Sequence, residues 1–209
     1  MSTDLVKLAS APIHAENPAG KQMTADDSDF DRVNTEILQI NLHGLEGVDW
    51  GEVVRAGTAI LTQKSKNLWI ASYLCMGLFQ EQGYSGLSMG LEIYINLLDN
   101  FWETLYPERI KGRIGAVEWL SDRGARAVAR KEPATDEAKA VQACVEHAEK
   151  LIGIVDGKFG NGAPSLATLR KAIQTYAAKM KVEEPPADGE QAKQPSAMPI
   201  AQTEIEKLL

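Results

Sequence analysis

Large apolar side chains recur at three- and four-residue intervals along most of this chain, interrupted by short polar joints. Phe30, Val33, Ile37 and Ile40 form the first stripe, and Trp50, Val53, Val54, Gly57, Ile60 and Leu61 the second, each at the spacing of an amphipathic helix. From Leu68 to Phe79 the apolar character runs nearly all round, which predicts the central, most buried helix. Gly83 is placed to stop that helix. Leu87, Leu91, Tyr94, Leu98 and Phe101 mark the next, closed by Pro107, since proline disfavours helix at the residue before it. Ile110, Ile114, Val117 and Leu120 share one face of a fifth segment. Val141, Cys144, Ala148, Leu151 and Val155 define a sixth, and Leu166, Leu169, Ile173, Tyr176 and Met180 a last. Helix starts are expected at Ser28 (with Asp31), Asp49 (with Glu52), Ser85 and Thr135, where short oxygen side chains can take orphan N–H groups. Alternating runs of strand length are absent. The pattern predicts an all-α fold, a single bundle-like domain of about seven helices over residues 28–181.

The ends read differently. Residues 1–27, punctuated by Pro12, Pro18 and Gly20, carry no period and are expected to be an irregular segment packing on the domain, anchored by Ile13. Residues 182–199 hold four prolines and almost no apolar side chain, the composition of a flexible linker. Residues 200–209 read as the start of a further helix or domain, which points to a longer protein.

Composition narrows the function classes. Apolar residues make up 44% and charged ones 24%, with a net charge of −7, so a nucleic-acid binder, which needs a basic face, is not expected. The first twenty residues lack the basic start and apolar run of a signal peptide. The apolar stretches fall short of the roughly 18 residues that cross a bilayer, so no membrane insertion is expected. Cys75 and Cys144 both fall in apolar helical patterns and read as core residues. A cytoplasmic location follows as the expectation.

Candidate chemistry thins out on inspection. Counting Asp27 as the first position of a calcium loop puts Arg32 where the turn glycine belongs and Leu38 where the bidentate glutamate belongs. The Gly157–Gly162 stretch runs into Ala163-Pro164 rather than the Lys-Ser/Thr pair of a phosphate loop, and reads as a helix–helix connection. Of His14, His43 and His147, only the last has a potential co-ligand, Cys144, three residues away, and two ligands do not make a zinc site. Gly83-Tyr84-Ser85-Gly86 has the wrong spacing for a nucleophile elbow. Glu92, Asp99 and Glu103 read as a solvated face. No catalytic, cofactor-binding or metal-ligating residue is assigned. Arg113, near Trp102, Tyr106 and Trp119, is expected either to clamp a helix corner, by stacking on an aromatic face or forking onto Glu103, or to belong to an exposed partner hot spot.

The ordered set Pro12-Ile13, Asn17-Pro18-Ala19-Gly20, Asp29-Phe30, Asp49-Trp50-Gly51-Glu52-Val53, Ser65-Lys66-Asn67-Leu68, the Gly83–Gly90 turn, Phe101-Trp102-Glu103-Thr104-Leu105-Tyr106-Pro107, and Arg113 before Trp119-Leu120 resembles the ImpA-type N-terminal domain of TssA-like proteins of bacterial type VI secretion systems. It covers roughly residues 10 to 125. The resemblance implies a cytoplasmic, non-enzymatic scaffold without cofactors, whose partners are baseplate, membrane-complex and tube or sheath proteins, and which self-associates as a full-length protein through a C-terminal ring domain. Trp50, Trp102, Pro107, Arg113 and Trp119 are the signature or interface candidates it supplies. Two alternatives stand beside it. One is a sheath-capping relative of the same family. The other is a helical ligand- or metal-binding domain or enzyme built on Cys144–His147 or Gly157–Gly162.

Overall fold

The computed structural model describes residues 2–183. The described residues contain seven α-helices, short 3-10 turns, two isolated β-bridges and no strand. The helices are α1 (Ser2–Ser10), α2 (Ser28–His43), α3 (Trp50–Gln63), α4 (Leu68–Phe101), α5 (Ile110–Val128), α6 (Ala138–Phe159) and α7 (Ala167–Glu183). The linker and further helix expected at 182–199 and 200–209 lie, beyond Glu183, outside the described residues.

The core is organised around α4, which is a hairpin. At Gly83 the backbone turns to φ 62°, ψ −145°, a conformation that a residue with a Cβ rarely adopts. The arms 68–82 and 84–101 run back along each other. A Cβ on Gly86 would lie 2.0 Å from the Leu78 carbonyl oxygen, and one on Gly90 2.7 Å from the Cys75 Cα. Farther along, Ser72 Oγ and the Tyr94 hydroxyl meet at 3.4 Å. Helices α1, α3, α5 and α6 all pack on this hairpin, while α2 lies mainly on α3 and α7 on α5 and α6. The first arm is buried from Leu68 to Phe79 apart from Trp69 and Tyr73, as its all-round apolar pattern requires.

Charges guard the hairpin turn. Lys131 Nζ donates to the Phe79 and Gln80 carbonyls at 3.1 and 2.8 Å, at the C-terminal end of the first arm. Glu137 accepts the Tyr84 N–H at the start of the second arm and the Ala134 N–H, both at 2.9 Å. Each sign matches the helix end it serves.

Several local expectations are corrected. The segment 1–27 opens with helix α1, because Val6 and Ala9 reach the core. Asp27, not Ser28, caps α2 and accepts the Asp29 and Phe30 N–H groups. Asp49 caps α3 as expected, but Glu52 does not reciprocate; the Asp49 N–H goes to Glu36 of α2 at 2.8 Å and Glu52 pairs with Arg55. Ser85 is exposed and caps nothing, since Glu137 holds the adjacent N–H. Thr135 makes no side-chain cap bond either. Of the face expected inward on α5, Val117 and Leu120 are buried, but Ile110 is 48% exposed, because the buried side is completed by Arg113 and Ala116. The inward residues of α6 are buried as their spacing predicts.

Candidate functional site at the Lys66 and Arg113 knot

The four residues between α3 and α4, Lys64 to Asn67, are the crossing point of distant segments. On one side Lys21 N–H donates to the Lys64 carbonyl at 3.0 Å, and Lys66 N–H to the Ala19 carbonyl at 2.8 Å. On the other, Tyr106 N–H donates to the Lys66 carbonyl at 2.8 Å and Leu68 N–H to the Tyr106 carbonyl at 2.7 Å. Gly20 has φ 73°, and a Cβ there would fall 2.1 Å from the Lys64 oxygen. The Asn17–Gly20, Ser65–Leu68 and Trp102–Pro107 motifs are thus one assembly in space.

Two buried cations lock it. Lys66, with no exposed surface, donates to the carbonyls of Leu61 at 2.6 Å and Ala9 at 2.7 Å, and its Nζ lies 5.3 Å from the Phe101 ring centre. It binds the C-terminal end of α1 to that of α3. Burial without a carboxylate pushes its ammonium down to about 8. Arg113, 7% exposed, fans its guanidinium onto three carbonyls: Nε to Pro107 at 2.8 Å, Nη1 to Trp102 at 2.6 Å and Nη2 to Leu105 at 2.7 Å. Stacking on the Trp102 ring completes its surroundings. The expected stack on an aromatic face is present. The alternative fork onto Glu103 is not, because the 102–107 turn offers three unpaired carbonyls closer in. Desolvation lowers the guanidinium from its ordinary value, partly offset by Glu103 and Glu108.

The remaining signature residues fall at different depths. Trp50 is buried and donates its indole N–H to the Leu45 carbonyl at 2.9 Å. Pro107 follows a cis Tyr106–Pro107 peptide, and its ring leaves no room for a Cβ on Gly112. Trp102 is half-buried and meets Phe159 of α6 edge-on at 4.8 Å. Trp119 is half-buried against Tyr73 at 4.9 Å, and Tyr73 touches Trp69. Trp119 does not join Arg113 and Trp102. Around the corner Glu103, Thr104 and Glu108 are exposed.

Nothing local in the sequence marks Lys66 as a buried site residue. Two carboxylates of the acidic run at the start of α2 are taken up by Lys64, whose Nζ lies 2.8 Å from Asp27 and 2.7 Å from Asp29. Burial alone would raise the Asp27 carboxyl, and Lys64 with the Phe30 and Asp29 N–H groups outweighs it and holds the carboxyl low. Cys144 donates to the Tyr84 carbonyl at 3.2 Å, and His147 Nδ1 lies 3.0 Å from the Ser88 carbonyl oxygen. Among the described residues no group of three or more His, Cys, Asp or Glu is placed to hold a metal ion. Nor is any of their helices long and apolar enough to cross a membrane.

Comparison with known proteins places this geometry. No curated protein sequence matches the chain. Among solved structures, the N-terminal domain that includes the conserved ImpA_N region of the TssA component of the type VI secretion system from Burkholderia cenocepacia superposes with a TM-score of 0.72 at 21% identity, over 85% of this chain and 92% of that one. At that identity the match shows a shared fold. The family model described as ImpA, N-terminal, type VI secretion system matches residues 10–122, which span all three motifs of the knot and both locking cations. The chain therefore belongs to the ImpA N-terminal family of the type VI secretion system.

Proposed function

We propose that this chain is a non-enzymatic scaffold of the secretion apparatus, acting in the cytoplasm through protein–protein contacts that help baseplate and tail tube or sheath assembly. The observation that carries the reading is the family match across residues 10–122. Within that span Lys66 and Arg113 spend their hydrogen-bond donors on backbone carbonyls, which suits a rigid presenting surface rather than a reactive centre. In this reading Trp50, Pro107 and Arg113 support the 102–107 corner from within. The half-exposed faces of Trp102 and Trp119, with Glu103, Thr104 and Glu108, supply contact area, in keeping with the weight of tryptophan at interfaces.

The test is a pull-down with the full chain as bait from cells expressing secretion components, followed by crosslinking mass spectrometry. Retention of baseplate, membrane-complex, tube or sheath proteins, lost in Trp102→Ala with the melting profile preserved, supports the corner as the contact. Retention unchanged in Trp102→Ala and Trp119→Ala returns both to a packing role, and no secretion protein retained at all overturns the scaffold reading.

A further inference from the structure

A basic groove lies at the opposite end of α5 from the Arg113 corner, about 20 Å away at 1.5 Å per helical residue. Arg123, Arg126 and Arg130 form one wall; Ile40, Gly44 and Leu45, at the end of α2, form the other. It continues into a cavity of ≈ 380 Å³ that shares Gly44, Leu45 and Arg130 and adds Ala127 and Lys131. Ile40 and Ala127 are buried and Leu45 half-buried, so the floor is apolar beneath a cationic rim.

The rim concentrates three arginines in a chain of net charge −7. Among the described residues Arg123 and Arg130 make no ion pair, while Arg126 has only an exposed partner, Asp122, at 3.0 Å. Arg123 and Arg126, three residues apart on α5, repel by a few tenths of a kcal/mol. Their place at the C-terminal end of α5 suits the helix dipole, but among the described residues Arg123 and Arg130 make no side-chain bond of the kind by which Lys131 serves Phe79 and Gln80. Glu46 on the facing rim directs any acidic group toward the arginine wall.

We propose that this groove docks an acidic peptide segment of a partner protein, with at least two carboxylates flanking one leucine-sized side chain. Guanidiniums receive carboxylates two bonds at a time, and the cavity over Leu45 and Ala127 takes the apolar group. A nucleic acid fits less well: it has no aliphatic side chain for the floor, and the acidic surroundings repel a polyanion. The site is distinct from the Trp102 corner and does not depend on the role assigned to it.

The test pans a displayed library of random dodecapeptides against the full chain. The expected enrichment is for two or more Asp or Glu around Leu, Ile or Met. A synthetic copy of the enriched peptide then binds about tenfold more weakly or worse to Arg123→Glu/Arg130→Glu. It binds unchanged to Lys171→Glu on the exposed face of α7. Arg123→Gln/Arg130→Gln, which removes charge without reversing it, falls between, and the melting profiles certify folding. No enrichment, an enriched set without acidic residues, or equal binding by the reversed variant overturns the proposal. So does displacement by a single-stranded oligonucleotide, which would mark a phosphate site. A tenfold gain in peptide affinity in the full chain carrying Glu204→Lys/Glu206→Lys would assign the groove to this chain's own acidic tail instead, and would equally overturn the partner assignment.

Discussion

The Arg113 guanidinium stands 4.7 Å from the ring centre of Trp102 while donating to that residue's own carbonyl at 2.6 Å. One side chain therefore fixes both the backbone and the indole of the corner, and two further bonds hold Leu105 and Pro107. A lysine ammonium is a point charge and cannot span three fanned carbonyls. Arg113→Lys should therefore lose about 2–4 kcal/mol by urea denaturation, since each stranded buried carbonyl carries its own desolvation penalty. Trp102→Ala, at a half-exposed position, should lose only about 1–2 kcal/mol. The reverse ranking would mean that the indole, not the guanidinium, holds the corner.

What the sequence revealed and concealed follows the range of the interactions. Helices α2 to α7 were legible because each buries a stripe that its own spacing displays, and Gly83 marked the break between the two arms of α4, though not that they fold back on each other. Helix α1 was hidden by the prolines behind it, although Leu5, Val6 and Ala9 already hold a helical spacing. Caps were legible only when local: Asp49 serves Glu52 three residues on, whereas Tyr84 is served by Glu137, 53 residues away. Arg113 stands out in the sequence because aromatic residues surround it. Lys66 does not, because its partner Ala9 lies 57 residues away and sequence alone does not distinguish a buried lysine from a solvated one.

Ser65 contributes the one buried side-chain oxygen or nitrogen among the described residues that lacks a hydrogen-bond partner. An orphan hydroxyl in the interior carries a desolvation penalty with no compensating bond. Ser65→Ala should leave the protein as stable as before or up to about 1 kcal/mol more stable. A clear loss by thermal denaturation would mean that the hydroxyl has a partner in solution, such as a bound water.

The α4 hairpin depends on close backbone approach at its second arm. Gly86→Ala puts a methyl 2.0 Å from the Leu78 carbonyl oxygen, which neither a rotamer change nor a flexible neighbour can relieve. The arms must part, and a loss of about 2–3 kcal/mol or more is expected. Gly153→Ala, with nothing within 4 Å of the new methyl on α6, should instead gain up to about 1 kcal/mol from helix propensity. Equal effects of the two substitutions would show that propensity alone governs both sites.

Lys66 makes stability depend on alkaline pH. Its folded-state value is pushed down to about 8 from the ordinary 10.5, so between those values the unfolded chain holds a proton that the folded chain has released, and stability rises with pH there. Buried cysteines act in the opposite sense: desolvation pushes Cys75 up to about 12 and raises Cys144 as well. The unfolded thiols therefore ionise from about pH 9 while the folded ones stay neutral. The lysine contribution is isolated by comparison with Lys66→Met, which keeps the cysteines. Near pH 7 the variant loses two carbonyl bonds but also a buried charge, so the two proteins should lie within about 2 kcal/mol of each other. From pH 8 to 10 the gap should widen in favour of wild type, by up to about 3 kcal/mol. A neutral amine retains two N–H donors for the Ala9 and Leu61 carbonyls, so the latch on α1 outlasts the lost charge. Urea denaturation across this range reads the gap directly. A gap that stayed flat would mean that Lys66 keeps its ordinary affinity for a proton, and hence that water reaches it beneath α1.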